Sequence, residues 1–304
     1  MLTNLCIVWA NTKHLSNTKL IILILSAGKL RSKTITMEIN KIYNENNLDT
    51  MAKMPDCFVD LTVTSPPYDG LRKYNGYSFD FENVAKELFR ITKDGGVVVW
   101  NVSDSTIKGS ETGTSFKQAL YFMEVGFKLH DTMIYKDSGL TMNHNRYEQE
   151  FEYMFIFSKG KPKTFNPIKV KCTYYGKDSD RTGQFTQEHN ELSKKMRSNK
   201  ERTNIKPEKI KGNVWEYANG YGKSTTDDIA FKHPAIFPEL LAKDHIYSWS
   251  NENDLVYDPF MGSGTTAKMA HLQKRNWIGS EISLEYTIIS KKRIAPYLAQ
   301  TLLF

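Results

Sequence analysis

The sequence predicts an α/β fold: a doubly wound, mainly parallel sheet with helices on both faces and one basic insertion. Three observations lead there. From Met37 onward, short apolar β-branched runs alternate with segments of helical periodicity, the pattern of a parallel sheet covered on both sides. "LVYDPFMGSGTTAKMA", residues 255–270, reads as strand, glycine turn and helix, the form of a ligand crevice at the end of such a strand. Between about Ser158 and Phe231 the periodicity collapses into a stretch rich in Gly, Asn, Thr and Tyr, punctuated by Pro162, Pro167 and Pro207. A loop of that length in a compact domain is usually functional or disordered.

The elements follow in order. "DTMAKM" reads as a short helix and "FVDLTV" as a buried strand. "FENVAKELFRIT" has apolar residues at helical spacing, with Gly95-Gly96 as its stop, and "VVVWNV" is the next buried strand. A helix around "SFKQALYFMEV" precedes two strands of alternating character, "KLHDTMIY" and "FEYMFIF". Past the irregular stretch, "HPAIFPELLAKDHI" reads as a helix that Pro234 starts. Then come the strand "LVYD", the glycine turn, the helix "TTAKMAHLQ", the strand "NWIGSEI" and a closing helix "LEYTIISKKRIAPYL". There is no internal repeat.

Composition narrows the class. Cys6, Cys57 and Cys172 are far apart and form no CxxC pair, which argues for a reducing, cytoplasmic setting without disulfides or structural zinc. The chain carries a net charge of +7. Residues 159–211 hold fifteen Lys/Arg against six Asp/Glu, so the basicity sits in this one segment. Two readings stay open for it: a solvated surface or linker, and a phosphate-binding face that gains affinity by releasing counterions. At the N-terminus, "LIILILSAG" (residues 20–28) is too short to span a bilayer. It follows Lys13, His14 and Lys19 and so imitates a signal peptide, yet nothing downstream looks extracellular. The expectation is that residues 1–36 come from a start codon assigned too early, with a real appendage as the alternative. A chain beginning at Met37 is then expected to be soluble and active.

Two stretches carry chemistry. In "DLTVTSPPYDG", residues 60–70, a buried strand stops at Ser65-Pro66-Pro67-Tyr68. Adjacent prolines supply no donors, fix φ and push the preceding residue to extended conformations, so the strand delivers a stiff tetrapeptide ending in an aromatic ring. Taken alone it could be a turn capping a strand. In the glycine turn, Gly262 and Gly264 permit positive φ and close backbone approach. The pattern matches neither the P-loop nor the dinucleotide fingerprint. Asp258 and Glu281 stand at the ends of consecutive strands, where a carboxylate can accept ribose hydroxyls. "TMNHNRYEQE", residues 141–150, offers Asn143, Asn145 and Arg146, side chains suited to base edges or phosphate; a solvated loop is the other reading. No His/Asp/Glu set has metal-ligand spacing, so no metal is expected.

"TSPPY", "DPFMGSGTT" and "GSEIS" together resemble the DNA amino-methyltransferases, which methylate cytosine N4 or adenine N6 using S-adenosyl-L-methionine. The tetrapeptide precedes the glycine turn, as in their circularly permuted β class. The resemblance runs from about Lys41 to Tyr297, is weak within 160–230 and does not cover 1–36. "HPAIFPELLAKDHI" resembles the helix that helps hold the methionine portion of the cofactor, and "YEQEFEYMFIFSKGKP" the strand beside the flipped-base pocket. One feature departs from the pattern: where many members have an acid shortly before the catalytic strand, this chain has Asn46 and Asn47.

The resemblance implies roles residue by residue. Ser65, Pro66, Pro67 and Tyr68 would grip the target base: the Pro66 carbonyl and Ser65 hydroxyl accept its amino hydrogens and Tyr68 stacks on it. Asp258, Pro259, Phe260, Gly262, Gly264, Thr265, Thr266, Glu281, His233 and Pro234 would hold S-adenosyl-L-methionine. Asn143, Asn145, Arg146, Lys194, Lys195 and Arg197 would contact double-stranded DNA. The implied organisation is a catalytic half at 37–158, a target-recognition insertion at 159–232 and a cofactor-binding half at 233–304. A cognate restriction endonuclease is the implied partner, with no membrane association. Members with Ser at the first position of the tetrapeptide mostly modify cytosine and those with Asp mostly adenine, so Ser65 favours N4-methylcytosine, with adenine N6 as the alternative. A Ser65 hydroxyl could also donate to the ring nitrogen beside the amino group, which suits the more basic cytosine N3. Carbon-5 methylation is excluded, because no cysteine follows a proline at a strand-to-loop turn. The rivals are methylation of RNA or of protein glutamine, whose enzymes usually place the cofactor motif first, and a catalytically silent DNA-binding protein.

Overall fold

The computed structural model describes residues 37–68, 80–137, 147–173, 175 and 206–299, and before Met37 only the backbone of a two-stranded hairpin, Ile24–Ser26 with Lys29–Arg31. The six apolar runs named above as strands join Lys41–Tyr43 and Val214–Glu216, which were not expected, in one eight-stranded sheet. In chain order these are β1 (Lys41–Tyr43), β2 (Val59–Thr64), β3 (Thr92–Val102), β4 (Lys128–Lys136), β5 (Phe151–Ser158), β6 (Val214–Glu216), β7 (Leu255–Asp258) and β8 (Asn276–Ser280). Across the sheet the order is β6-β4-β5-β3-β2-β7-β8-β1. Every pairing is parallel except those of β5, which runs antiparallel to both β3 and β4.

Side chains alternate between the two faces, and both faces are covered. Val98, Trp100 and Val102 of β3 join one apolar cluster with α1 (Asn47–Lys53), α2 (Phe81–Ile91) and α3 (Thr114–Val125), through Met51, Leu88 and Phe122 among others. Trp100 is fully buried, and its indole N–H donates to Gln118 Oε1 (2.8 Å). The other face carries α4 (Glu239–Trp249), α5 (Thr265–Leu272) and α6 (Leu284–Ala299). There His245 of α4 lies 3.1 Å from the Met154 sulfur of β5.

Connectivity creates the crevice. β2 and β7 lie side by side and parallel, Leu61 opposite Val256 and Thr62 opposite Tyr257. From β2 the chain passes through α2 to β3 on one side; from β7 it passes through α5 to β8 on the other. Connections that leave neighbouring strands in opposite directions open a cleft over their C-terminal ends, where open α/β sheets bind ligands.

Two sequence expectations are corrected. The helix before the Gly95-Gly96 pair stops at Ile91, because the Thr92 hydroxyl donates to Leu88 O (2.6 Å) and β3 begins there; the glycines lie within the strand. Pro234 does not start α4. Residues 228–232 form a 3-10 turn, His233 and Pro238 are extended, and the helix begins at Glu239 with Pro238 as its N-cap. A helix begun at Pro234 would carry Pro238 inside it, where the ring lacks an N–H and clashes with the preceding turn. The chain also divides into a main unit and a small unit at 167–212. Val214–Glu216 belongs to the main unit because it pairs with β4 as an edge strand. The small unit contains an antiparallel pair, Lys169–Lys171 with Glu208–Ile210. Among the described residues, no helix is long and apolar enough to cross a membrane.

Candidate active site

The site begins where β2 and β7 end. The Thr64 hydroxyl donates to Asp258 Oδ1 (2.7 Å), and the Phe260 N–H donates to the same oxygen (3.0 Å). Burial raises the Asp258 carboxyl above its ordinary range, against the hydrogen bonds from Thr64, Thr266 and Phe260. The glycine turn follows, with Gly262 at φ +50° and Gly264 at φ +86°, conformations that favour glycine. A Cβ on Gly264 would lie 2.9 Å from Ser290 Cβ, so α6 packs directly on the turn. The Gly262 N–H donates to Glu281 Oε2 (2.8 Å) and the Ser283 N–H to Oε1 (2.9 Å). Burial raises this carboxyl too. A glycine turn whose N–H is answered by a carboxylate is no phosphate cradle.

Beside it, on the extension of β2, stands the tetrapeptide. The Tyr68 hydroxyl donates to Glu152 Oε2 (2.8 Å), receives Asn101 Nδ2 (3.0 Å) and lies 2.9 Å from Ser65 Oγ. Burial, reinforced by the Glu152 charge, pushes the phenol well above its ordinary value, so it keeps its proton. Asn101 and Glu152 were not singled out from sequence. The available signal was a polar side chain on the buried face of a strand: Asn101 follows "VVVW", and Glu152 shares a face with Met154 and Ile156.

A cavity of about 1450 Å³ joins these parts. Ser65, Pro67 and Tyr68 line it, together with Asp258, Pro259, Phe260, Gly262, Thr265, Thr266, Glu281, His233 and Pro234. Pro66 and Gly264 do not line it, although Pro66 is buried between two residues that flank or line it. The volume exceeds the roughly 300–1,000 Å³ of an ordinary small-molecule pocket, leaving room for two ligands. Its lining includes Asp104, Glu111, Asp137, Glu148 and Glu152 besides Asp258 and Glu281, and no Lys or Arg among the described residues. Such a wall disfavours a phosphate and favours a ligand that carries positive charge and hydroxyl donors. Asn46 and Asn47 also line it. Asn46 caps α1 by accepting from the Leu48 N–H (2.9 Å), and Asn47 Nδ2 reaches the Pro259 carbonyl (3.4 Å). Asn143, Asn145, Arg146, Lys194, Lys195 and Arg197 lie outside the described residues. No group of three metal-ligating side chains occurs among the described residues.

Comparison with known proteins decides the family. A family model for DNA methylases of the N6/N4 type matches residues 59–292, spanning the tetrapeptide, the glycine turn and Glu281. The chain belongs to this family of N4/N6 amino-methyltransferases. The orphan methyltransferase M.BamHII of Bacillus amyloliquefaciens is 59% identical over 245 residues, covering 80% of this chain and 91% of that protein. The PvuII DNA methyltransferase, described as cytosine-N4-specific, superposes with a TM-score of 0.62 at 21% identity, over 83% of this chain and 85% of that one. M1.HpyAVI, solved in complex with S-adenosyl-L-methionine (SAM), superposes with a TM-score of 0.52 at 21% identity, over 83% and 98%. The resemblance read from the motifs, and the fold it implied, are borne out.

Behind the methylase's glycine turn lies an ion network that sequence reasoning missed. Arg293 of α6 is buried and donates to Ser263 O (3.1 Å), Ser263 Oγ (2.9 Å) and Thr265 Oγ1 (3.0 Å), fixing the turn from the rear. It also pairs with Asp227 (2.9 Å) and Glu239 (2.6 Å), and Lys268 pairs with both at 2.7 Å. The network therefore ties the turn to α4, α5 and the segment before the 3-10 turn. Arg293 falls in step with Tyr286, Ile289 and Ser290 on the buried face of α6, which was its only sequence signal.

This network makes stability depend on acid. Burial alone would raise the Asp227 carboxyl, but hydrogen bonds from Lys268, Arg293 and Tyr297 outweigh it and bring the group down to about 2. A carboxyl held below its unfolded value, near 3.9, stabilises the fold above that value. The contribution is lost as pH falls through the folded value. The wild-type protein should therefore lose melting temperature from about pH 4 to about pH 2. Asp227→Asn should melt lower at neutral pH and show a flatter acid dependence. Scanning calorimetry of both proteins checks this, and parallel curves would reject it.

Proposed function

We propose that this methylase transfers a methyl group from S-adenosyl-L-methionine to the amino nitrogen of a base flipped out of double-stranded DNA, with cytosine N4 as the acceptor. One observation carries the reading: Ser65, Pro67 and Tyr68 of the tetrapeptide and the Asp258–Glu281 turn meet in a single carboxylate-lined cavity with room for cofactor and base. Bound there, the cofactor supplies an electrophilic methyl on a positively charged sulfonium.

The chain's own residues do the rest. An exocyclic amino group is a poor nucleophile because its lone pair is delocalised into the ring. It must be held so that the nitrogen turns more sp³-like and faces the methyl. The Pro66 carbonyl and Ser65 Oγ accept the two amino hydrogens, Pro67 stiffens the turn and the Tyr68 ring supports the base. On the cofactor side, Gly262 and Ser283 each occupy one lone pair on a different Glu281 oxygen. With the Ile282 backbone also bonded to this carboxylate, acceptor capacity remains for one ribose hydroxyl. Asp258 and the acidic wall favour the cofactor's positive charges.

Ser65 at the first position of the tetrapeptide supports cytosine over adenine. The basic segment 159–211 and the Asn143–Arg146 stretch are assigned to DNA contact. The enzyme is read as cytoplasmic and as part of a restriction-modification system with a cognate endonuclease; the orphan name of its 59% identical relative speaks for a methyltransferase acting alone.

Mass spectrometry of nucleosides from mixed-sequence DNA, treated with protein and cofactor, should show N4-methylcytosine. N6-methyladenine in its place overturns the base assignment and leaves amino-methylation standing. Neither product, with cofactor bound, favours the silent DNA-binding protein or another substrate. Glu281→Ala should raise the cofactor dissociation constant at least tenfold, given roughly 1.5–3 kcal/mol per hydrogen bond to a charged group. Unchanged binding by calorimetry, in a variant with native circular dichroism, rejects the role of Glu281.

A further inference from the structure

The base-facing half of the cavity contains a carboxylate that the reading above does not use. Glu152 projects from β5 into the lining, level with Tyr135 across the strand pair and near Asp137. Its Oε2 accepts from the Tyr68 hydroxyl (2.8 Å) and from Asn101 Nδ2 (2.5 Å). The Tyr68 oxygen accepts from Asn101 Nδ2 (3.0 Å) and stands 2.9 Å from Ser65 Oγ.

Proton counting sets the direction of this chain. A phenol has one hydrogen to give. The competing acceptor, the Asn101 carbonyl, lies at 3.4 Å, and a carboxylate at 2.8 Å is the stronger partner. With the Tyr68 proton committed to Glu152, the short contact between Tyr68 and Ser65 can be a hydrogen bond only if Ser65 donates. The Ser65 proton is then turned away from the base, and its oxygen offers only lone pairs to the cavity that it lines.

We propose that Glu152 is a positioning residue: through Tyr68 it orients the Ser65 hydroxyl so that Ser65 meets the target base as an acceptor only. This rests on the amino-methylation reading and deepens it. An amino group brings hydrogens, so a pure acceptor engages it and helps draw its lone pair out of the ring. Ser65 oriented this way has no proton for the ring nitrogen, so its fit to cytosine would not come from donation to N3. If Glu152 were a neutral amide, the chain could reverse: the amide N–H would donate to Tyr68, Tyr68 to Ser65, and the Ser65 proton would point at the amino hydrogens.

The test compares Glu152→Gln, Tyr68→Phe and the double variant in DNA methylation kinetics, with cofactor affinity and melting temperature measured alongside. Glu152→Gln should lower kcat at least tenfold, with KM for DNA and cofactor affinity within twofold of wild type. In the Tyr68→Phe background, where no phenol links the two residues, the same change should alter kcat less than twofold. Glu152→Asp, which keeps the charge but withdraws it from Tyr68, should lose kcat as the Gln variant does and covers the case in which the Gln variant folds poorly. An unchanged kcat in Glu152→Gln, or an equal loss in the Tyr68→Phe background, overturns the role of Glu152 alone. Wild-type protein that binds cofactor but methylates no DNA overturns the functional reading, and the role of Glu152 with it.

Discussion

The parallel pairing of β2 with β7 is the constraint on which the rest of the site depends. The two strands are joined at their ends by the hydrogen bond from Thr64 to Asp258, residues 194 positions apart. Leu61, Val63 and Val256 are fully buried, as are their neighbours in β3 and β8, so neither strand can slip without exposing apolar side chains. With register fixed, the tetrapeptide that continues β2 and the glycine turn that continues β7 must emerge next to each other. Two segments encoded at opposite ends of the chain thus become two walls of one cavity.

Electrostatics then divide that region into front and back. Carboxylates face the cavity, while Arg293 and Lys268 lie behind the glycine turn, paired with Asp227 and Glu239. A buried arginine lacking such partners would be costly, and breaking the set would leave charge uncompensated. Here its guanidinium also reaches Ser263, Thr225 and Thr265, so it braces the turn without adding positive charge to the cavity. The same separation shapes Glu281, whose oxygens hold the backbone of the turn while lining the cavity.

The sequence was most legible where local chemistry and tertiary structure agree. Strands such as "VVVW" and "FVDLTV" are buried on both faces, so their apolar runs needed no context to be read. The "SPPY" and "GSG" turns are set by proline and glycine backbones, which act locally. Legibility failed where a distant partner decides. Pro234 reads locally as the start of α4, but Pro238, four residues on, forbids it. Asn101 and Glu152 look like ordinary polar residues until β3 and β5 pair antiparallel and bring both to Tyr68. Arg293 and Lys268 look like surface charges on "SKKR" and "TAKMA", because the acids that draw them inward lie in the unpatterned "TTDD" and at the start of α4. Val214–Glu216 was equally hidden, because only its pairing with β4 makes it a strand of the main sheet.

In the proposed function, one cavity over β2 and β7 brings the methyl donor to the tetrapeptide. A crystal structure of the protein with S-adenosyl-L-methionine tests it most directly. The ribose is expected at Glu281, the amino-acid portion along the glycine turn and His233, and the methyl group directed toward Ser65 and the Pro66 carbonyl. A cofactor bound elsewhere, or bound at the turn with its methyl directed away from Ser65, would contradict it.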